Sequence, residues 1–538
     1  MARLPVPGAD DNVWGDVLNE YLSVAHNNDG TLKSSGVLLV ASSTAPSDVQ
    51  NVADYVCDGT SDEDEINTAL TAASSSAQTV RLSSGIFTID GSITIPADDV
   101  MLVGDGSGAT TIRYSGSNGS DSIVINDKDD VLIKGLALTS TSGNGCGVHV
   151  TSSLNVRLED ILADGMGANH GATGGFPWSW GQIYIDESDR AFLRDVSAVS
   201  SDTARGIFVQ SSDDVRIEGG LTQLNSYEGI YIDDCERSTV VNVRSGNNGT
   251  NAGGPVTSFA TNLAYLESPH ATIIGGELFG HAGSDKDNAG SYGENNLDLY
   301  ECDYATVVGT RVHNSKDSNV YVQGSSYVRL IGLDVYQANQ RGIVIVERQA
   351  DTTTTNAAMI VGVSSQYNND NGLRVTTENA SGAAIYDVHA IGCFFTNNDN
   401  IGVLAEAGSH NVYLENCDLT GNGGGNNGWW YAFGTGEDAV SFRACKGPTT
   451  FNQGTGTITN GNTSVTVTHG LSFAPHIPIN PTAQDFTVTP TNNPDNAPGH
   501  IWVSNVTATQ FTVNCASDPG ASGLTFAWVG RTRQEPNE

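Results

Sequence analysis

Asp186 and Asp233 hold the same place in a repeated strand pattern, and they are the acids best spaced for chemistry. Glycoside hydrolysis needs two carboxyl groups, about 5 Å apart for retention and about 6.5–9.5 Å for inversion. On strands two coils apart in a stacked array, the Cα atoms of Asp186 and Asp233 are expected to be about 9.6 Å apart, which suits inversion. Asp298, Glu267, Glu228 and Asp202 occupy nearby positions and could replace either member. An eliminating enzyme would instead need a base near the α-proton of a uronate and a cation on its carboxylate. Tyr231, His149 and Arg205 are the residues of suitable type.

Aromatic residues alternate with inward aliphatic ones on the same strands. His149, Tyr184, Phe208, Tyr231, Asp298 and Tyr321 fall at one outward level, with Asp186, Gln210, Asp233, Tyr300 and Gln323 beside them. A solvated strand face is ordinarily polar, so a row of rings needs a reason. Sugar rings supply one, because their C–H faces pack on aromatic rings while Asp and Gln take the hydroxyls. Three long insertions would form the lips of such a cleft: 163–181 with Trp178 and Trp180, 244–261, and 279–295 with Tyr292.

The elements that must position these residues repeat at roughly 23-residue intervals, the signature of a stacked array. Val131, Val156, Ala191, Val215, Ser238, Ala271, Ala305 and Val328 each open a segment whose third residue is Ile, Leu or Val. In most copies a second pair follows about fifteen residues later, as in Val148/Val150, Ile207/Val209, Ile230/Ile232 and Val320/Val322. Each repeat thus holds at least two short strands of period two, and without a helical pattern between them a parallel β-helix fits best. From Val156 to Ile183, Ser238 to Leu263 and Ala271 to Leu297 the spacing stretches to 27, 25 and 26 residues, so the three insertions leave the array on one side. Cys393, Cys417 and Cys445 share an inward position and are expected to stack.

The chain carries 24 basic and 61 acidic residues, for a net charge of −37. That argues against nucleic-acid binding and against anionic membranes. Its Lys-poor, Asp-rich composition resembles that of halophile proteins. No run of apolar residues is long enough to span a bilayer, and MARLPVPGADD lacks the basic and apolar regions of a signal peptide. The eight cysteines show no metal-ligand spacing and read as small buried hydrophobes, with cystines between adjacent coils left open. No cofactor and no catalytic metal are expected, and structural calcium is left open. His469 and His476 lack a clear third ligand and read as structural.

Taken in order, 1–33 places Val13, Trp14, Val17, Leu18, Tyr21 and Leu22 on one helical stripe. This segment resembles the N-terminal segments of tail proteins in bacterial and archaeal viruses, which implies virion attachment or trimerisation. Residues 34–110 form a β-helix entry and cap, in which Ser61 or Asp62 can cap a helix with an acidic first turn and an apolar face of Ile66, Ala69, Leu70 and Ala73. ADYVCDGTSDEDEINTAL and TVRLSSGIFTIDGSITIPADDVMLVGDGSGATTI resemble the entry to right-handed β-helices of the pectate-lyase-like superfamily, tailspikes included. The inverting polygalacturonase residue set is absent, so no catalytic residue carries over from that family. Residues 111–446 are the β-helix with its cleft loops. Residues 447–538 alternate as a β-sandwich, similar to C-terminal modules of viral tail and fibre proteins.

The resemblance implies a virion tail spike or tail fibre acting extracellularly at the host surface. Its partners would be a host polysaccharide or glycoprotein glycan, other tail or baseplate proteins and two further copies of itself, with no nucleic acid and no membrane insertion. Glycan depolymerisation by inverting hydrolysis is the expected activity. A non-enzymatic adhesin and a polysaccharide lyase or epimerase remain the alternatives.

Overall fold

The computed structural model describes residues 36–75, 79–116, 119–141, 145–167, 181–249, 261–280, 295–347, 355–377, 385–406, 409–423, 430–432, 440–447, 451–470, 486–507 and 509–531. The helical stripe of 1–33 lies outside them. The described chain is a right-handed parallel β-helix with a helical cap and a C-terminal β-sandwich. It divides into two compact units, 1–175 with 182–197, and 176–181 with 198–538.

In the first unit the α-helix Glu63–Ser74 buries Ile66, Ala69, Leu70 and Ala73. It packs on the strands Val37–Ala41 and Thr79–Leu82. Asp62 stands at the N-cap, but its side chain makes no capping hydrogen bond. The reason is competition. Its two oxygens accept the backbone N–H groups of Gly59 (2.8 Å) and Thr88 (2.7 Å) and tie the helix entry to the first coils. Parallel pairing then runs from Thr79–Leu82 to Met101–Val103, to Leu132–Ser140 and to Arg157–Asp164. On the other side Ile123–Asn126, Val148–Thr151 and Gly181–Asp186 pair in register, aligning His149 with Tyr184 and Thr151 with Asp186.

The second unit contains coils of three strands rather than two. In one coil these are Arg205–Gln210, Arg216–Glu218 and Leu221–Gln223. The third strand is too short for its alternation to stand out in the sequence. The corners between strands use left-handed backbone. Gly309, Gly332, Gly362 and Gly392 stack in one corner with φ of 61–64°, a conformation glycine adopts without steric penalty. First-strand register stacks Ile207, Ile230, Leu263, Leu297, Val320 and Ile343, all essentially fully buried.

Polar ladders run through this apolar interior. Cys235 N–H donates to Ser268 Oγ at 3.0 Å and Cys302 N–H to Ser325 Oγ at 2.8 Å. A longer ladder joins Asn225, Asn248, Asn262, Asn296, Asn319, Asn368, Asn398 and Asn422, each amide donating to the next side-chain oxygen. Asn296 donates both to Asn319 Oδ1 (3.0 Å) and to the His313 carbonyl (2.7 Å). Asn296→Ala would remove these ladder bonds, while Asn262 Nδ2 keeps the Gly280 carbonyl, the His313 carbonyl keeps the Gly280 N–H and Asn319 Oδ1 keeps the Ser315 N–H; it is expected to destabilise by about 2 kcal/mol. Urea unfolding measures it, and an unchanged midpoint would show that water replaces the amide. Cys393 and Cys417 are buried and Cys417 N–H donates to Cys445 Sγ at 3.4 Å, while Cys445 is only partly buried. All eight cysteines are free.

Two three-stranded antiparallel sheets make the C-terminal sandwich. One contains Phe451–Ile458, Leu524–Arg531 and Phe486–Pro490, the other Ser464–Thr468, Gln510–Cys515 and Ile501–Ser504. Phe486, Phe511, Phe526 and Trp528 fill the core. Gly454 and Gly456 lie opposite Trp528 and Phe526. A Cβ on Gly456 would come within 2.4 Å of the Phe526 ring, so the alternating glycines make room for the two rings. His469 is fully buried with Nε2 at 3.1 Å from the Thr507 carbonyl, a structural role, whereas His476 lies outside the described residues.

Candidate functional site

In the first unit, the strand Gly181–Asp186 ends on the half-buried Asp186. His149 stacks on Tyr184 with ring centroids 4.9 Å apart. Its Nδ1 lies 2.8 Å from Asp121 Oδ2, while Asp121 Oδ1 accepts the Cys146 N–H at 2.7 Å. Burial raises the Asp186 carboxyl above the ordinary range, with Glu187 adding to the effect and His149 and Tyr184 opposing it. A carboxyl so placed holds its proton longer than an exposed aspartate.

In the second unit, Arg205 opens the strand Arg205–Gln210 and Tyr231 lies in Ile230–Asp233, one coil on. Register pairs Phe208 with Tyr231 and Gln210 with Asp233. Arg205 Nε donates to Glu228 Oε2 at 2.6 Å, with the two side chains 7% and 0% exposed. The Arg205 guanidinium also lies 4.9 Å from the Phe208 centroid and 4.2 Å from that of Tyr231, a desolvated cation–π clamp. The second oxygen of Glu228, Oε1, is buried without a hydrogen-bond partner. Burial pushes the Asp233 carboxyl up to about 6, with Arg205 opposing and Glu267 and Asp234 adding to the rise. The exposed Glu267 sits in a left-handed corner with φ of 46°, directly after Leu266, the register partner of Asp233.

Asp298 lies deeper. Its Oδ2 accepts from Thr261 Oγ1 at 2.6 Å and its Oδ1 from Asn295 Nδ2 at 2.7 Å. Burial nevertheless pushes its carboxyl up to about 7, the two hydrogen bonds opposing and Glu228 adding. A folded pKa above the unfolded one gives stability that is fully present at low pH and lost as pH rises through about 7. The unit is therefore expected to lose about 2 kcal/mol through this group between pH 5 and pH 8. Asp298→Asn, in which Thr261 can rotate to accept, should remove that component. Equal pH slopes for wild type and variant in thermal unfolding would assign the dependence to other groups.

The sequence places the rings on an open floor, but the structure buries most of them. Tyr184, Phe208 and Tyr231 are 6%, 3% and 8% exposed. Tyr300, Tyr321 and Gln210 are half-buried and Gln323 is buried. Trp178, Trp180, Tyr292 and most of the three lip segments lie outside the described residues. Asp186 belongs to one unit, and Asp233, Asp298 and Glu267 to the other. The Arg205–Glu228 bond escaped the sequence reading, although both residues were noted. Their 23-residue spacing, one repeat, is the signal that could have found it. Among the described residues Cys57, Asp62 and Glu65 bring ligand atoms within 4.8 Å of one another, but both Asp62 oxygens already hold backbone N–H groups. No helix among the described residues is long and apolar enough to cross a membrane.

No family model matches the chain, and no curated protein matches it by sequence. Solved structures do. The Dettilon tailspike protein superposes with a TM-score of 0.51 at 12% identity, covering 91% of this chain and 94% of that one. The mannuronan C-5 epimerase A-module of Azotobacter vinelandii gives 0.48 at 16% identity over 72% and 96%. The tailspike of Pseudomonas phage phi297 gives 0.43 at 12% over 87% and 92%. At these identities the likeness to the Dettilon tailspike is one of fold, the parallel β-helix built above.

Proposed function

We propose that this chain is a virion tail spike or tail fibre that binds a host surface polysaccharide along the β-helix and cleaves it by inverting glycoside hydrolysis. The observation that carries the reading is Asp233, a half-buried carboxyl pushed up to about 6 beside the Arg205 clamp. A carboxyl protonated near neutral pH can deliver a proton to the departing glycosidic oxygen. Glu267, an exposed carboxylate of the same unit directly after the register partner of Asp233, would take the proton of the attacking water. Asp298, with both oxygens accepting hydrogen bonds from protein, suits an anchoring role. The fold of the Dettilon tailspike supports the virion setting, as do the viral resemblances of both chain ends. Homotrimerisation, attachment to other tail proteins and a halophilic host belong to the same proposal.

Binding without cleavage is the second reading. It is favoured by the engagement of the other acids near Asp233: both Asp298 oxygens already accept protein hydrogen bonds, and Glu228 is fully buried. Reducing-end release from purified host glycan separates the two. Release at low or at molar salt, where the Debye length shrinks to about 3 Å and the acidic surface is screened, is the expected result. Glycan binding with no release under either condition would leave a receptor-binding protein.

A further inference from the structure

The first corner of each coil in the second unit stacks its residues in the left-handed region. Asp214, Asp387 and Asn411 have φ of 57–60°, as short polar side chains tolerate. His270, Tyr304 and Tyr327 occupy the same corner at 58°, 61° and 59°, where bulky residues are rare. Strained backbone held on several successive coils points to a use for the side chains. The three rings form a stack on the outside of the coil. His270 and Tyr304 are 5.0 Å apart at 9°, Tyr304 and Tyr327 are 4.9 Å apart at 8°, and the two tyrosines are 49% and 47% exposed.

The stack ends abruptly. Tyr304 is covered on both faces, but among the described residues the only ring against Tyr327 is Tyr304. On the next coil the corner residue is Ala357, φ 56°, which has no side chain long enough to cover the second face. One coil further stands Asp387, whose Oδ1 accepts from Asn411 Nδ2 at 3.0 Å. Register places Met359 and His389 beside this gap, on the strands that follow Ala357 and Asp387. Corners two coils apart are separated by about 9.6 Å. A ring stacked on Tyr327 at the roughly 4.5–5 Å of a face contact therefore sits midway between the aromatic ring and the corner of Asp387.

We propose that this gap is a second saccharide site, in which a neutral pyranose lays its C–H face on Tyr327 and turns its hydroxyls to Asp387, the carboxylate that Asn411 holds. The carboxylate and the net charge of −37 select against uronates and other acidic sugars. The site lies at a corner, apart from the strand positions of Asp233 and Phe208, and the inference does not rest on cleavage.

Fluorotyrosine incorporated into the full chain reads the site by fluorine NMR, the Tyr327 and Tyr304 signals being assigned by their loss in Tyr327→Ala and Tyr304→Ala. Ala357 already holds this corner conformation, so alanine keeps the backbone. Titration with methyl glucoside, methyl mannoside and methyl galactoside is expected to give a saturable shift of the Tyr327 signal with at least one of them. The doubly covered Tyr304 should move far less, and Ala357→Tyr, which continues the stack, should abolish the shift. The proposal is overturned if the Tyr327 signal stays fixed up to the solubility limit of all three sugars. It is also overturned if Ala357→Tyr leaves the shift intact, or if Tyr327→Ala changes the oligomeric state, since the rings would then face another copy.

Discussion

Asp233→Asn is expected to lower reducing-end release by about 100-fold or more, the contribution typical of a positioned general acid, while glycan binding is kept. Asparagine preserves the shape and the strand register with Gln210 but has no proton to deliver at neutral pH. The pH profile adds a second readout. Because the Asp233 carboxyl is pushed up to about 6, the protonated form needed for catalysis is depleted as pH rises through that value, so kcat/KM of the wild type should fall on the alkaline side. In the variant that limb disappears from the residual activity. Release within twofold of wild type would remove Asp233 from the reaction, and the same assay on Asp186→Asn would then decide whether the other unit carries the acid.

Arg205→Ala is expected to destabilise the second unit by about 3–5 kcal/mol, the usual cost of leaving one member of a buried ion pair alone. Glu228 is fully buried, Arg205 Nε is the hydrogen-bond donor to its Oε2, and Oε1 has none. The variant must either hold an uncompensated charge in the interior or protonate it. Burial already raises the Glu228 carboxyl, and Arg205 is the influence that restrains the rise. The penalty should therefore shrink as pH falls and Glu228 becomes neutral. Replacing both members, as in Arg205→Met with Glu228→Leu, should recover most of the loss, since apolar residues of similar volume often match a buried pair. Urea midpoints at pH 5 and pH 8 test both points. A single-variant loss below about 1 kcal/mol would place the pair among exposed salt bridges in energetic weight.

The two variants probe one cluster, because Arg205 also opposes the rise of Asp233. Arg205→Ala should move the alkaline limb of activity to higher pH in whatever fraction remains folded. The direction follows from charge alone: without the guanidinium, the carboxylate form of Asp233 loses its stabilising neighbour.

Much of the architecture was legible in the residues themselves. The anchors from Val131 to Val328 are buried inward positions, the pairs Ile207/Val209 and Ile230/Ile232 stack in register, and the cap helix buries the predicted Ile66, Ala69, Leu70 and Ala73. These are periodicities of two or 3.6 within a segment, or one repeat length between segments, and a solenoid turns such local patterns directly into contacts. Asp62 shows the limit of that reading. A cap residue by type, it is drawn instead to Thr88 N–H, 26 residues away, because the first coil passes within hydrogen-bond reach.

What the sequence determined by itself is the β-helix, its coil register, its cap and which residues share a strand position. Tertiary structure alone decided which of those residues meet and how wet they are. Phe208 and Tyr231 alternate outward by pattern yet are buried, and a guanidinium from the start of the Phe208 strand folds over both rings and binds Glu228 one coil on. The asparagine ladder and the Tyr304–Tyr327 stack have the same origin. Each member looks like an ordinary turn residue in its own segment, and only the stacking of coils at about 4.8 Å makes amide donate to amide and ring cover ring.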